Sequence, residues 1–557
     1  MKRTKILALL ATAAFFSSFA TAQDMDFGDD FGSDFGGDFG DSASSSSFAA
    51  TALSVNGEAQ VNFRAYVDDE GTSGLPIDEW NTWVDPKGKL GLNYSNDSVS
   101  ADVKFALSKD IITDYKADII DELTLEAYLG NFVIQAGKMK VVWGKGDKLH
   151  VIDNFNANDY KDFLIPDYID RRISEPMVRV LYNAPNDAGP FTSNRFEFVW
   201  TPFMTADRYA ASGRWVPTQV KKLEKSLKDI ATTSISSTVK DLEENRTKLA
   251  VAQTGYTNAA NAYKAETNAE KKAEYAAQMQ AYDNAAKTAQ ENLTALNTTY
   301  LSQLSNSSSL ADNLYPDLYQ LKYMQAGARF TTTTGSWDWG LSYYFGRDKR
   351  ASFDYAKMSG TSHDGKDGYI YKYLAGIADE DDKFIDYDFL QVFGIEAAKT
   401  FGAYNFRAEA AYNLTKDVAG DDPKVHNNSV AWVFGFDRDL PVSELNFNLQ
   451  TQGKFILNHD EIKDSGDTES GTYKTDNKLV LNISDNLAHG KLKPEVSAIY
   501  GFEHFDLIIM PKVTWYVSDG LEFSASGMYM QSFIESRSEF GNWHNNSFVQ
   551  IAAKYTF

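Results

Sequence analysis

The stretch Glu58-Ala59-Gln60-Val61-Asn62-Phe63-Arg64-Ala65-Tyr66-Val67 sorts its side chains by parity. Ala59, Val61, Phe63, Ala65 and Val67 share one face, while Glu58, Gln60, Asn62, Arg64 and Tyr66 share the other. Successive side chains of a β-strand point to opposite sides, so such a segment meets lipid or a core on one face and water on the other. The same pattern returns at Val99, Ala101, Val103, Phe105 and Leu107, set against Ser100, Asp102 and Lys104. It returns again where Leu445, Phe447 and Leu449 alternate with Asn446, Asn448, Gln450 and Gln452.

Counting such runs gives about eighteen strands of the length a barrel uses. They begin near Glu58, Lys89, Ser98, Glu122, Phe132, Pro176, Asn194, Gln325 and Ser336. The second half begins near Phe389, Tyr404, Ser429, Glu444, Lys478, Pro494, Asp506, Gly520 and Ser547. Short and long connections alternate along the chain. Ser95-Asn96-Asp97, Gly130-Asn131, Thr334-Gly335 and Ser518-Asp519 are tight, whereas 68–88, 144–175, 204–324, 347–388 and 456–477 are long; the tight Glu503-His504-Phe505 is the exception. Outer-membrane barrels have short periplasmic turns and long outer loops, and a soluble sandwich has no reason to keep that parity. The expected fold is an all-β transmembrane barrel of about 18 antiparallel strands over 51–557.

Composition agrees with this reading. The 557 residues include no cysteine, which excludes disulfides, thiolate nucleophiles, zinc–thiolate sites and a lipid-bearing cysteine. Lys2, Arg3 and Lys5, the apolar run 6–16 and Ala20-Thr21-Ala22 read as an export signal over 1–22, cleaved before Gln23. Mean hydropathy is −0.40 and nothing after Gln23 reads as a transmembrane helix, so a membrane protein of this composition must cross with strands. The net charge of −23 argues against a nucleic-acid partner, whose phosphates would repel it. In the acidic tail 23–50, Phe27, Phe31, Phe35 and Phe39 recur at every fourth position among Asp and Gly. That composition cannot bury a core, and the tail is expected to be disordered in the periplasm.

One insert keeps a different period. Over 215–304, Tyr275, Met279, Tyr282, Ala286, Ala289, Leu293, Leu296 and Tyr300 step by four and three, and upstream Leu242, Leu249, Tyr256 and Tyr263 recur every seven. Thr267 with Glu270 has the spacing of a capping box. These predict an α-helical hairpin inserted in one extracellular loop, each arm about 40 Å long at 1.5 Å per residue.

Val549, Ile551, Ala553, Tyr555 and Phe557 alternate to the end of the chain. This resembles the C-terminal signature of bacterial outer-membrane proteins, and the resemblance implies that Tyr555 and Phe557 are read by the barrel-assembly machinery. Trp200, Phe203, Trp337, Trp339, Tyr343, Phe345, Trp515 and Tyr516 lie near strand ends, as an interfacial girdle requires. The segment 137–177 runs from Trp143-Gly144-Lys145-Gly146-Asp147 through Asp153-Asn154-Phe155-Asn156-Ala157-Asn158-Asp159 to Arg171, Arg172 and Glu175-Pro176-Met177. It resembles a family of large porin-like outer-membrane proteins that carry a Trp-Gly and acidic element after a strand, followed by an Asn-rich stretch. That family's Asn-Pro step is replaced here by Ala157-Asn158. The resemblance implies a barrel with a structured loop near the pore.

Eighteen strands leave room for a water-filled lumen. Parity turns Arg64, Lys104, Arg195, Arg329, Arg407, Lys454, Lys512 and Lys554 inward, with Glu58, Asp102, Glu126, Glu197, Asp338, Glu409, Glu495 and Glu522. Near balance argues against a strongly selective filter, which needs a ring of one sign, and each charge taken alone reads as half of a cross-strand pair. The loop 144–175 mixes apolar anchors (Ile152, Phe155, Phe163, Ile165) with dense charge. It is expected either to fold inward, setting Asp147, Asp153, Asp159 and Asp162 against Lys145, Lys148, Arg171 and Arg172 across a constriction, or to pack on the rim.

Catalysis has no comparable support. His363, His426, His459, His504 and His544 fall on predicted loops without His-x-x-x-His spacing, and no Gly-x-Ser-x-Gly occurs, so no enzyme activity, metal or cofactor is expected. The acidic runs 363–367 and 379–382 lack calcium-loop spacing and read as solvated. The leading expectation is a porin passing small hydrophilic solutes through the outer membrane of a diderm bacterium, in contact with its lipid. The alternatives are a surface adhesin that uses the helical insert, and a transporter of apolar substrates, which inward Asn and Gln disfavour.

Overall fold

The computed structural model describes residues 52–66, 82–108, 119–147, 149–211, 213–362, 364–463, 466–540, 543 and 546–557. The expected export signal and acidic tail lie outside these residues, as do Lys148, His363 and His544.

Eighteen strands form one closed antiparallel sheet. In chain order β1 to β6 are Ala52–Tyr66, Thr82–Ser95, Val99–Leu107, Ile120–Leu129, Phe132–Met139 and Glu175–Asn183. β7 to β12 are Phe191–Thr201, Gln325–Thr334, Trp337–Arg347, Phe389–Phe401, Tyr404–Leu414 and Ser429–Asp439. β13 to β18 are Asn446–Ile456, Thr475–Ser484, Leu492–Gly501, Asp506–Ser518, Leu521–Ser532 and Phe548–Thr556. Each pairs with its chain neighbour, and β18 returns to β1 in a ladder from Glu58↔Thr556 to Tyr66↔Phe548. The last residue completes the seam: the Phe557 N–H donates to the Gly57 carbonyl at 2.9 Å, and the Gly57 N–H to the Phe557 carbonyl at 2.9 Å. A Cβ at Gly57 would stand 2.5 Å from the Phe557 ring and 2.8 Å from the Lys89 carbonyl oxygen, so glycine leaves room for both. Closure leaves no unpaired edge, the condition for a sheet in lipid.

Every expected strand is present, but β1 and β2 begin several residues before Glu58 and Lys89. Gly57, Pro86 and Gly88 read as strand breakers, yet the ladder runs through them, with Pro86 opposite Val61 and Gly88 opposite Ala59. Pro86 is tolerated because β3 pairs with β2 only from Gly88 onward, so no partner on that side needs its missing N–H.

The barrel is inside-out. Val61, Phe63, Phe196, Phe198, Leu341, Phe393, Ile395, Val549 and Ile551 are exposed on the outer face, while Arg64, Glu197, Arg329, Glu396 and Glu409 are buried on the inner one. Lipid-facing apolar residues at every second position explain how so polar a chain crosses a bilayer. No helix among the described residues is long and apolar enough to do so.

The chain divides into two compact units, the barrel with its inner loops and a second unit from 219–316 and 353–386. After the short helix α1 (Tyr168–Arg171), the second unit holds α2 (Thr218–Ala265) and α3 (Ala269–Asn306), of 48 and 38 residues. At 1.5 Å per residue they are about 72 and 57 Å long, well beyond the expected 40 Å. On α3 the expected seam holds, with Ala289 and Leu293 buried. On α2, Leu242 is buried but Tyr256 and Tyr263 are exposed, and Ala252 and Ala259 take the seam instead. The reason is steric: the Tyr282 ring of α3 lies against Gly255, and a seam that admits that ring needs small residues opposite. The cap of α3 is Asn268, not Thr267; its Oδ1 accepts the N–H groups of Glu270 and Lys271 at 2.9 and 3.2 Å.

In the same unit, the helices α4 (Tyr355–Ser359) and α5 (Tyr369–Ala375) come from the next long loop. Asn306 donates to the Tyr373 carbonyl at 3.2 Å and the Tyr369 hydroxyl donates to the Asn313 carbonyl at 2.6 Å. The acidic runs serve local structure. Asp367 accepts the N–H groups of Thr361 and Ser362, and Asp379 and Asp382 form a capping box.

Candidate functional site

The lumen is shaped by the loop between β5 and β6, which leaves the wall at Lys140 and returns at Glu175. Buried Asn156 ties its two ends together. Its Oδ1 accepts the Val141 N–H at 2.8 Å, and its amide donates to the carbonyls of Met139 at 3.0 Å and Ile173 at 2.9 Å. Between these points Trp143, Ile152 and Phe155 turn toward the wall and join Met139, Met177, Val199, Tyr344, Val392 and Ala411 in an apolar core inside the barrel. The Trp143 and Phe155 rings meet edge-on at 5.0 Å. Two wall glycines make the space: a Cβ at Gly327 would stand 2.8 Å from both rings, and one at Gly394 would stand 2.7 Å from Ile152.

Polar contacts fix the rest of the loop. Glu409 of β11 accepts the N–H groups of Gly146 at 2.6 Å and Val151 at 2.9 Å, and its Oε1 lies 2.9 Å from His150 Nδ1. The Trp143 indole donates to Glu197 at 2.9 Å. Glu197 also pairs with Arg179 at 2.6 Å, and Arg329 bridges Glu396 at 2.7 Å and Glu197 at 3.8 Å. Asp147 accepts from Asn448 at 2.6 Å and lies 3.5 Å from Arg407, while its carbonyl accepts from Gln450 at 2.9 Å. Asn448 is the third residue of β13 after a tight turn, so the loop reaches almost the full depth of the barrel. On the opposite side Asp162 forms a two-pronged pair with Arg64 at 2.7 and 3.0 Å, and Asp170 meets Lys89 at 2.7 Å.

The inward fold is therefore present, but the charges are distributed differently from the expected array. Asp153 does meet Arg172, at 2.9 Å, in a pair buried within the loop and joined by the Tyr168 hydroxyl at 2.5 Å. Asp147 and Asp162 turn to the wall. Arg171 is buried, its guanidinium 5.9 Å from the Tyr160 ring, and Asp159 lies 3.8 Å from Lys161. A carboxylate taken out of water must find a cation or donors, and the wall supplies them.

The remaining inward charges sit in cross-strand sets. Arg407 also pairs with Asp437 at 2.8 Å. Glu126 accepts from Gln135. Asp102 lies opposite Asn93 and Thr124, and Lys104 pairs with Glu122 at 3.3 Å. Glu495 accepts from Asn482 at 2.7 Å and faces Lys512, Arg195 faces Thr331, and buried Lys454 faces Asp476. Inward residues from β12 to β15 are buried, whereas many on β2 to β4, β17 and β18 are partly exposed. The accessible inner surface thus lies against one side of the wall.

Parity alone does not single out a buried cluster near the long-loop rim. Lys478 Nζ lies 3.0 Å from both Asp476 oxygens and 3.1 Å from Glu539, with His504 Nε2 3.7 Å from Asp476. Asp476, His504 and Glu539 stand close enough to share a metal ion, but the Lys478 ammonium already fills the cationic position between the carboxylates. Burial pushes Glu539 up to about 7. Burial works against the His504 imidazolium, but Asp476 and Glu539 outweigh it and push its pKa up to about 9. The loop that carries Glu539 also sends Phe540 and Trp543 against Phe163, and Trp543 donates to the Val216 carbonyl at 3.3 Å. His150 and the Glu539 loop left no periodic signal in the sequence, since both lie between strands.

No protein-family model and no curated protein matches the chain. Solved structures similar to it include OpdO of Pseudomonas aeruginosa, at 9% identity and TM-score 0.40 over 90% of this chain and 96% of that one. A triple mutant of Rhodopseudomonas blastica porin is 10% identical with TM-score 0.34, over 91% and 100% of the two chains. The outer-membrane protein OmpT of Vibrio cholerae lacking its loop L8 is 8% identical with TM-score 0.34, over 91% and 100%.

Proposed function

We propose that the protein is an outer-membrane porin, a passive channel for small hydrophilic solutes, with its short turns in the periplasm and its long loops outside. The observation that carries this reading is a closed sheet, apolar outside, whose inward loop seats its apolar anchors on one side, reaches Arg64 and Lys89 through Asp162 and Asp170, and leaves polar side chains of β2 to β4 accessible. Tyr555 and Phe557 serve as the assembly signal, beside lipid as the barrel's surroundings. The accessible inward residues Lys87, Lys89, Asn93, Asp102, Lys104 and Glu126 offer no oily track for an apolar substrate. Purified protein in a planar bilayer should give discrete conductance steps; a folded barrel that gives none refutes the reading.

A second role on the same scaffold rests on the helical unit. Val251, Tyr256, Tyr263 and Leu301 are exposed away from the α2–α3 seam, as a binding surface requires. Removal of 219–316 should leave conductance intact if the helices serve adhesion rather than passage.

A further inference from the structure

On β2 to β4 the inward charges are Lys87, Lys89 and Lys104 against Asp85, Asp102, Glu122 and Glu126, so the count favours carboxylates, while exposure within the ion pairs favours the ammonium groups. On β2 and β3 each inward lysine has a carboxylate partner: Lys87 with Asp85 at 3.0 Å, Lys89 with Glu58 at 3.3 Å, and Lys104 with Glu122 at 3.3 Å. In every pair the cation stands forward of the anion. The side chains are 38% exposed for Lys87 against 7% for Asp85, 43% for Lys89 against 24% for Glu58, and 50% for Lys104 against 17% for Glu122. A four-carbon stem carries the ammonium into the water, whereas Asp85 is buried, opposite Asn62. Within these three pairs a passing solute meets the ammonium group before its carboxylate; Asp102 and Glu126 also lie on this wall, Glu126 accepting from Gln135.

We propose that this passage favours anions, and that Lys87, Lys89 and Lys104 determine the preference. The inference rests on the channel reading above and names its solute class: small singly or doubly charged anions that pass through solvent-separated contact with ammonium groups. It opposes what the whole chain would suggest, because a net charge of −23 would favour cations if the overall field decided. Local geometry prevails in a narrow, salt-screened passage. The Debye length is about 10 Å at 0.1 M salt, so a permeating ion senses the nearest side chains and little beyond them. Asp170, which reaches Lys89 at 2.7 Å from the inward loop, is the one carboxylate among these partners as exposed as its lysine, at 41%. It weakens the effect at Lys89 and leaves Lys87 and Lys104 to dominate.

The test is the reversal potential of the full-length protein in a planar bilayer under a potassium chloride gradient, then with potassium acetate. The wild type should pass chloride over potassium by about twofold or more at 0.1 M, and the ratio should fall toward one at 1 M, where the Debye length is about 3 Å. K87Q/K89Q/K104Q should lose the preference, the triple Lys→Arg variant should keep it, and E58Q/E122Q should raise it. Heat-dependent gel migration checks that each variant is folded, and the two sets of variants shift the ratio in opposite directions, so misfolding of one set does not decide the outcome. Conductance steps with cation preference, or a ratio unmoved by the glutamine variants, overturn this inference alone. Absence of any steps overturns the channel reading and this inference with it.

Discussion

Replacing Glu409 by alanine should widen the channel without unfolding it. The two carboxylate oxygens take two partly buried backbone N–H groups and face the buried His150 ring nitrogen, all within 2.9 Å. Losing the acceptor leaves one buried and two partly buried donors unpaired, at about 1–3 kcal/mol for a buried group and less for those water can reach. That sum is comparable to the anchoring by Trp143, Ile152 and Phe155, at about 1.5–3 kcal/mol per buried side chain. The apolar anchors flank the 144–151 segment and do not touch Glu409, so they should hold while the segment between them comes off the wall. Asp147 would lose its fixed position near Asn448 and Arg407. Single-channel recording should show a larger mean conductance with added open-state noise. Glu409→Gln should be intermediate, because one oxygen can still serve Gly146 and His150 while the amide faces the Val151 N–H. If Glu409→Ala is folded and its conductance and noise match the wild type, the 144–151 segment does not bound the passage.

Two further consequences concern the rim and the seam. His504 carries a proton more tightly in the docked loop than when free, so its contribution to docking is fully present below its ordinary pKa of about 6.5 and is lost as pH rises through about 9. Protease accessibility of 533–540 should therefore increase between pH 7 and 10 in the wild type, and the step near pH 9 should disappear in His504→Gln, leaving the Glu539 step near 7. Gly57→Val should slow barrel assembly by displacing the Phe557 ring and crowding the Lys89 carbonyl, and Phe557→Ala in the same chain should restore the rate only in part; if Gly57→Val assembles at the wild-type rate, the steric account of the seam is wrong.

Much of the barrel was legible because parity is a local property. The run from Glu58 to Tyr66 sorts itself without knowledge of its neighbours, and the closed sheet then follows from repetition and from the alternation of loop lengths. What parity could not supply was strand extent where Gly57, Pro86 and Gly88 interrupt it, since tolerance of Pro86 depends on where the neighbouring strand begins. The heptad reading of the helices had the same weakness. Spacing by sevens admitted Tyr256 and Tyr263, whereas packing around Tyr282 selected Ala252 and Ala259. Apolar anchors within a charged loop did point inward. Their partners were hidden, because the carboxylate that holds Val151 lies 258 residues further along the chain, and no local pattern encodes that contact.

The interior combines two kinds of construction, and their division bears on how selectivity could arise. Along β7 to β13 the wall meets the inward loop as a soluble protein's core would, with Trp143 and Phe155 seated against Gly327 and the loop's carboxylates paired or capped. A loop held in this way cannot shift by small amounts, because each displacement uncovers a buried donor or charge before it gains solvent. On β2 and β3, Lys87 and Lys104 extend to water ahead of their recessed carboxylate partners, and Lys89 is also met by Asp170 of the inward loop. One boundary of the passage is therefore rigid and electrically spent, and the other is mobile and carries the forward charge. Under that division, substitutions on the packed side should alter the size of the conductance, whereas substitutions on the lysine side should alter which ion carries it. A Glu409 variant that reversed ion preference, or a Lys104 variant that changed only conductance, would show that the two walls do not act separately.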